Sequence, residues 1–279
     1  MAAATGEKSD TPGPDHRSIR GPFDIIGDVH GCAEELMALL AQLGHHVRLT
    51  GDRERRAARV ESTSSRRIVF VGDFVDRGPL SPDVMRIAMS LVRSGQALAV
   101  PGNHDAKFRR WLDGRDVKLS HGLERTVEQM GREPPSFHAE VRAFLAQLPY
   151  HLWLDGGRLV VAHGGIREEM IGDDGGKTRS FCLYGDTDGA KDHNGLSVRF
   201  HWAAHYRGAP AIVYGHTPVD EVAWVNNTLC IDTGCCFGGM LTALRWPERT
   251  LVSVPARDTY AKALRPFGHP PVRDVTTGA

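Results

Sequence analysis

Apolar positions in this chain fall into short blocks that switch between two periods. Phe23 to Ile26 makes a short strand ending at Gly27, and Glu34 to Leu43 then sets Leu36, Leu39, Leu40 and Leu43 at helical spacing until Gly44 stops the helix. The succession repeats. Arg67 to Val71 reads as a strand, Pro82 to Val92 as a helix with Val84, Ile87, Ala88 and Leu91 on one face, and Gln96 to Val100 as a third strand. Strands alternating with helices predict βαβ crossovers and a mainly parallel sheet covered on both faces. Residues 103–148 read as mostly helical. The pattern then changes to strands: Tyr150 to Leu154 and Leu159 to Ala162 flank the turn Asp155-Gly156-Gly157, and Ile212 to Tyr214, Val222 to Val225, Thr228 to Ile231, Leu241 to Trp246 and Thr250 to Val254 follow. This second half predicts another sheet packed on the first.

The ends of the chain lack such periodicity. Residues 1–20 predict a disordered leader, and residues 257–279, interrupted by Pro266, Pro270 and Pro271, an irregular tail, which leaves residues 21–256 as the folded domain. Arg48 to Arg67 holds seven arginines against three acids; a solvated excursion is expected there, with a phosphate-contacting arm as the alternative. The whole chain of 279 residues nevertheless balances 34 basic against 34 acidic side chains, which argues against a broad electrostatic grip on nucleic acid or anionic lipid. Cys32, Cys182, Cys230, Cys235 and Cys236 form an odd set without a C-x-x-C pair, which excludes a disulfide scaffold and suits reduced thiols. No apolar run approaches the ~20 residues that span a bilayer. A soluble cytoplasmic protein without membrane or obligate protein partner is expected. The 14 histidines and 31 glycines add the means for metal ligation and for tight strand-to-helix turns.

Those residues concentrate where strands end. Phe23 to Ile26 runs into Gly27-Asp28-Val29-His30-Gly31, Arg67 to Val71 into Gly72-Asp73-Phe74-Val75-Asp76-Arg77-Gly78, and the third strand into Gly102-Asn103-His104-Asp105. Later strands end in Ala162-His163-Gly164-Gly165 and Tyr214-Gly215-His216-Thr217-Pro218. Each piece alone reads as a turn with a satisfied polar residue. Five together point oxygen and imidazole ligands at one rim, where open α/β sheets bind ligands. In an extended Asp-x-His both side chains lie on one side, so Asp28 and His30 can grip one ion. Asp73 can bridge two cations, Asn103 offers a neutral carbonyl oxygen, and His163 and His216 add imidazole nitrogen. A mixed oxygen and nitrogen set favours Mn, Fe, Ni or Zn over calcium.

In that order, GDVHG, GDFVDRGP, GNHD, AHGG and GHTP resemble the signature of dimetal phosphoesterases related to Ser/Thr protein phosphatases, GD-x-x-DRG being the most specific element. Over roughly residues 23–256, DIIGDVHG, VPGNHDAK, SHGLERTVEQM, WVNNT, IDTGC and FGGMLTALRWPE further resemble the phosphatase domain of bacterial polynucleotide kinase-phosphatases, enzymes of RNA repair. Bacterial bis(5'-nucleosyl)-tetraphosphatases are similar too. No G-x-x-x-x-G-K-[ST] loop is present, so the kinase activity of those repair enzymes is not carried over.

The resemblance implies an α/β fold, the metallophosphoesterase-type αββα sandwich of two mixed sheets flanked by helices, with residues 21–256 as the catalytic domain. Joined to the residue chemistry, it puts Asp28, His30 and Asp73 on one metal and Asp73, Asn103, His163 and His216 on a second, manganese being the first choice for both. The broader superfamily often has a histidine where Pro218 stands, so the first metal is expected to have fewer protein ligands. Arg77 is expected to bind phosphate, His104 to act as general acid, and Asp76 to orient His104. Asp232 is implied as a site residue without a stated role, and a second phosphate-binding arginine is expected, with Arg199 and Arg207 both open. The cysteines, and His45, His46, His121, His201 and His205, are expected to be structural or exposed. Trp153, Trp202, Trp224 and Trp246 are expected in the core, with base stacking by Trp202 or Trp224 as the alternative.

The expected reaction is hydrolysis, by metal-activated water, of phosphomonoesters and 2',3'-cyclic diesters of nucleotides or RNA and DNA ends. A bis(5'-nucleosyl)-tetraphosphatase or a Ser/Thr protein phosphatase is the alternative, and an inactive binding scaffold the remote one.

Overall fold

The computed structural model describes residues 13–52, 55–193 and 195–273. Its first sheet is built from β1 (Phe23–Ile26), β4 (Arg67–Phe70) and β5 (Ala97–Ala99), joined by β13 (Met240–Trp246) and β14 (Thr250–Pro255) in the order β14-β13-β1-β4-β5. β1, β4 and β5 pair in parallel, as their intervening helices α1 (Ala33–Gln42) and α2 (Ser81–Arg93) require. β13 is antiparallel to β1, with Ile25 opposite Leu244, and β14 is antiparallel to β13. The second sheet has the order β11-β12-β10-β7-β6 from β6 (His151–Leu154), β7 (Leu159–Ala162), β10 (Ala211–Tyr214), β11 (Trp224–Val225) and β12 (Thr228–Cys230). Leu241 to Trp246 and Thr250 to Val254 therefore correct the reading that put them in the second sheet. They return to close the edge of the first.

Alternation along the strands separates three apolar layers. Ile25, Val69 and Val71 face Leu159, Val161, Ala211 and Val213 between the sheets. Ile26, Ile68 and Phe70 face α1, α2, α4 (Leu123–Met130) and α5 (Pro135–Ala146), while Val160, Ala162, Ile212 and Tyr214 face α6 (Gly176–Tyr184) and Trp202. Three layers of core between four of secondary structure make the αββα sandwich. α3 (Asn103–Leu112) carries Phe108 into the first outer layer.

Two hairpins lie outside the sheets. β2 (His45–Thr50) and β3 (Ala57–Ser62) occupy the arginine-rich stretch, with Val47, Leu49, Ala58 and Val60 against the first outer layer. Arg56 pairs with Asp83 at 2.6 Å and Arg66 with Asp24 at 2.6 Å, so these arginines hold the hairpin and the sheet edge rather than a phosphate. β8 (Asp186–Lys191) and β9 (Ser197–Phe200) form the other hairpin.

The ends also depart from expectation. Residues 1–12 of the expected leader lie outside the described residues, but residues 14–19 run beside β6: Trp153 N–H donates to the Pro14 carbonyl, His16 N–H to that of Trp153, and Asp155 N–H to that of Ile19. Residues 257–273 are irregular yet anchored. Arg257 N–H and the Tyr260 hydroxyl donate to Glu35, Gly268 N–H to the Pro218 carbonyl, and His201 N–H to that of Pro271.

Candidate active site

Asp28 follows β1, Asp73 follows β4, Asn103 opens α3 after β5, His163 follows β7 and His216 follows β10, so the parallel strands of both sheets deliver their side chains to one rim. The loops are tight. His30, Asp73, Asp76, Arg77 and His216 all have positive φ, between 44° and 74°, a clustering of left-handed backbone that tertiary packing must hold in place. At Gly102 and Gly215 an added side chain would meet a site carboxylate. A Cβ on Gly102 would stand 1.9 Å from Asp73 Oδ1, and one on Gly215 1.9 Å from Asp28 Oδ1.

Asp73 is the centre. Its Oδ2 lies 3.3 Å from His30 Nε2 and 3.4 Å from His163 Nε2, while Oδ1 accepts from His104 N–H at 3.0 Å. The Nδ1 of His30 reaches the Val75 carbonyl at 2.9 Å and that of His163 the Val71 carbonyl at 3.1 Å. These carbonyls accept only from a protonated Nδ1, so each ring turns a bare Nε2 lone pair towards Asp73. Burial first, then the Arg77 charge, holds His30 and His104 well below the ordinary histidine value. Burial pulls His163 down to about 3 and His216 well down, so the rings stay neutral and able to ligate at neutral pH.

Two groups of donors have their atoms within 4.8 Å of one another, His30 with Asp73 and His104, and Asp73 with His163 and His216. Asn103 Oδ1 is 3.1 Å from His163 Nε2. Asp28 sits alongside. Its Oδ2 accepts from His216 N–H at 3.0 Å, and burial, followed by the nearby Asp232 and Asp73 charges, pushes its pKa well up. Asp28 Oδ1 and His216 Nε2 are buried and lack a hydrogen-bond partner, as ligand atoms do when the ion is removed. The donor set thus fits two divalent ions. His104, expected only as an acid, lies in ligand range of the first.

His104 Nδ1 is 2.6 Å from Asp76 Oδ2, and its Nε2 is 2.9 Å from an Arg77 nitrogen. Arg77 also contacts His30 Nε2 and stacks over Phe237 at 5.0 Å. Asp76 is fully buried, and burial raises its pKa to about 7. Thr126 was not singled out from sequence, yet its hydroxyl donates to Asp76 Oδ1 at 2.8 Å and accepts from Asp76 N–H at 2.9 Å. Asp105 was also missed: its buried carboxylate accepts from Gly102 N–H at 2.8 Å and Phe74 N–H at 2.9 Å, locking the Asp73 loop to the start of α3. Its place within Gly102-Asn103-His104-Asp105 was the available signal.

Of the two open arginines, Arg199 on β9 reaches the site, where it donates to the His216 carbonyl at 3.0 Å and Thr217 Oγ1 at 3.1 Å, burial lowering its pKa to about 10. Arg207 instead donates to the carbonyls of Ala204 and Tyr206. Asp232 accepts from Gly234 N–H at 3.0 Å next to Asp28. Trp202 is buried, its indole N–H donating to Gly164, and the five cysteines are free and buried.

The model of the calcineurin-like phosphoesterases matches residues 21–230. The chain belongs to that family. Among relatives of this calcineurin-like phosphoesterase, the bis(5'-nucleosyl)-tetraphosphatase PrpE [asymmetrical] of Anoxybacillus flavithermus is 45% identical over 88% of this chain and 99% of its own. The protein of the same name from Geobacillus thermodenitrificans is 46% identical, over 84% of this chain and 94% of its own. The fold is shared with a solved chain provisionally assigned as a diadenosine tetraphosphatase (TM-score 0.58, 23% identity, 87% of this chain and 96% of that one). It is shared as well with a protein serine/threonine phosphatase from Saccharomyces cerevisiae (TM-score 0.56, 14% identity, 93% and 85%). The protein is therefore a phosphoester-hydrolysing enzyme of a metal-dependent family, and no helix among the described residues is long and apolar enough to cross a membrane.

Proposed function

We propose that this phosphoesterase hydrolyses dinucleoside tetraphosphates asymmetrically, giving a nucleoside triphosphate and a nucleoside monophosphate. The carrying observation is the 45–46% identity with tetraphosphatases over nearly their whole length, which moves this reading ahead of the nucleic-acid-end reading first expected from the sequence. A cleft of about 810 Å³ supports it. Its lining includes His216, Arg77 and Arg199, so it is continuous with the ligand cluster. That volume lies in the upper part of the usual range for ligand sites of ~300–1,000 Å³ and suits an extended nucleotide better than a lone phosphate.

Asp28, His30 and Asp73 would hold one divalent ion, and Asp73, Asn103, His163 and His216 the other, with manganese favoured by the mixed donors. Such ions supply Lewis acidity towards phosphoryl oxygens and bring the pKa of water into a reactive range. Arg77 and Arg199 orient the scissile phosphate through forked N–H donors. A phosphate that accepts from Arg77 frees His104 Nε2 and offsets the Arg77 charge that disfavours the protonated ring, so that Nε2 can hold a proton at the leaving oxygen while Asp76 and Thr126 keep the ring in place. Because the leaving group of a tetraphosphate is itself a phosphate, that proton matters less than it does for an alkyl ester. The five buried free thiols accord with a reducing cytoplasmic setting.

The test is turnover of diadenosine tetraphosphate, an RNA 2',3'-cyclic phosphate and a phosphothreonine peptide by the manganese-loaded enzyme, with products separated by anion exchange. ATP and AMP in equal amounts from the tetraphosphate, with the highest kcat/KM of the three, is expected. ADP as the sole product, or a higher kcat/KM for either other substrate, would overturn the reading.

A further inference from the structure

One wall of the cleft is supplied by the C-terminal segment, residues 260–271, which the sequence marks only as irregular. The segment is fastened along its length. Near its start the Tyr260 hydroxyl donates to Glu35 at 2.7 Å and Ala261 N–H to the Cys236 carbonyl at 3.0 Å. Further along, Arg265 Nε donates to Asp192 at 2.8 Å and Gly268 N–H to the Pro218 carbonyl at 2.8 Å, with Phe267 against Phe237 at 6.0 Å. Between these anchors lie Lys262, Ala263 and Leu264.

The charges in the lining are lopsided. Arg77, Arg125, Arg199, Lys262 and Arg265 face Glu124 and Asp192 in a chain whose net charge is zero, so the cleft concentrates positive potential. Most of those cations are already engaged. Arg77 bonds the imidazoles, Arg125 the Arg77 carbonyl, Arg199 the His216 carbonyl, and Arg265 Asp192. Lys262 makes no side-chain hydrogen bond or ion pair among the described residues, and it is exposed. Two residues on, Leu264 lines the same cleft with 53% of its surface exposed, so a large aliphatic side chain is presented to whatever enters.

On the tetraphosphate reading above, we infer that residues 260–271 form a substrate-binding strap. Lys262 receives the phosphates beyond the hydrolysed bond, and Leu264 packs against the base of the departing nucleoside triphosphate. A free ammonium supplies a point charge to a polyanion of variable pose, and an exposed aliphatic beside it excludes water from one face of a base. The strap then separates nucleoside polyphosphates from small phosphomonoesters, which need only Arg77 and Arg199.

Two measurements on the full-length chain decide this. The first is the ratio of kcat/KM for diadenosine tetraphosphate to that for p-nitrophenyl phosphate. Lys262→Ala is expected to lower it about three- to tenfold, the range for loss of one partly screened charged contact, whereas Lys177→Ala, exposed on α6 outside the cleft, leaves it unchanged. An unchanged ratio in Lys262→Ala, or an equal fall in Lys177→Ala, would overturn the strap's role. The second is calorimetric binding to EDTA-treated protein of ATP and of inorganic tripolyphosphate. Lys262→Ala is expected to weaken both, and Leu264→Ser to weaken ATP while sparing tripolyphosphate. Wild-type affinity for both probes in both variants would refute the inference. Should the wild type leave diadenosine tetraphosphate intact, the substrate reading falls, and the binding measurement alone then decides the strap.

Discussion

Gly215→Ala is expected to disable the site through a steric conflict with one carboxylate. The added Cβ would stand 1.9 Å from Asp28 Oδ1 and 3.0 Å from Asp28 Cγ, with Val71 Cγ2 next at 3.2 Å. The carboxylate must retreat by about 1.5 Å to reach ordinary contact. Asp28 is buried and its Oδ2 takes the His216 N–H at 3.0 Å, so retreat breaks that bond inside the core. Leaving a buried hydrogen-bonding group unsatisfied costs about 1–3 kcal/mol and overpacking about 1–3 kcal/mol, which suggests a total near ~4 kcal/mol. A domain stable by about 5–15 kcal/mol remains folded. With Asp28→Ala in the background, the nearest obstacle is Val71 Cγ2, which needs a shift of only a few tenths of an ångström, and the same Gly215→Ala change should cost about 1 kcal/mol or less. The double-mutant cycle should therefore return a coupling of at least about 2 kcal/mol. Guanidinium denaturation followed by tryptophan fluorescence, in EDTA at fixed pH, measures it. Additivity within about 0.5 kcal/mol would refute the argument.

Three other outcomes follow from the geometry. His104→Ala should slow alkyl phosphate hydrolysis by about 10²-fold and nitrophenyl phosphate far less, a leaving-group series that a constant defect would contradict. Arg199→Ala should lower kcat/KM by at least tenfold and Arg207→Ala by under twofold, because only Arg199 reaches His216 and Thr217; equal losses would return Arg207 to consideration. His151 is held neutral by burial, its pKa depressed to about 4 while Nε2 accepts from Gly172 N–H at 3.0 Å. The folded state thus binds fewer protons than the unfolded chain, so this group costs stability as pH falls from about 6.5 towards 4, by up to about 3 kcal/mol. His151→Gln keeps an acceptor and should flatten that part of the stability profile; parallel profiles for variant and wild type would exclude His151 as the source.

The ligand rim was legible in one dimension because strand ends are local events. An apolar run followed by glycine and a polar pair specifies a strand and the turn leaving it, and Asp28, His30, Asp73, Asn103, His163 and His216 each sit in such a turn. Short unbroken apolar runs likewise predicted strands covered on both faces, and Phe23–Ile26, Leu159–Ala162 and Ala211–Tyr214 are buried throughout. Pairing is a nonlocal choice, and the pattern of β13 and β14 suits the edge of either sheet; contact between Ile25 and Leu244 across the β1 ladder places them in the first. The hairpins show the same limit differently. Val47, Leu49, Ala58 and Val60 alternate as a strand should, but the charge of the surrounding arginine-rich stretch masks the period, while Asp186–Lys191 carries no strand signal and pairs only because Ser197–Phe200 lies beside it. Arg199 and Arg207 are equal in composition and eight positions apart, and β9 turns one towards His216 while the other bonds its own neighbouring carbonyls. Thr126, Asp105 and the strap at 260–271 depend on contacts across 50, 31 and more than 200 residues, distances over which side-chain identity constrains hydrogen bonding only after the backbone has brought the partners together.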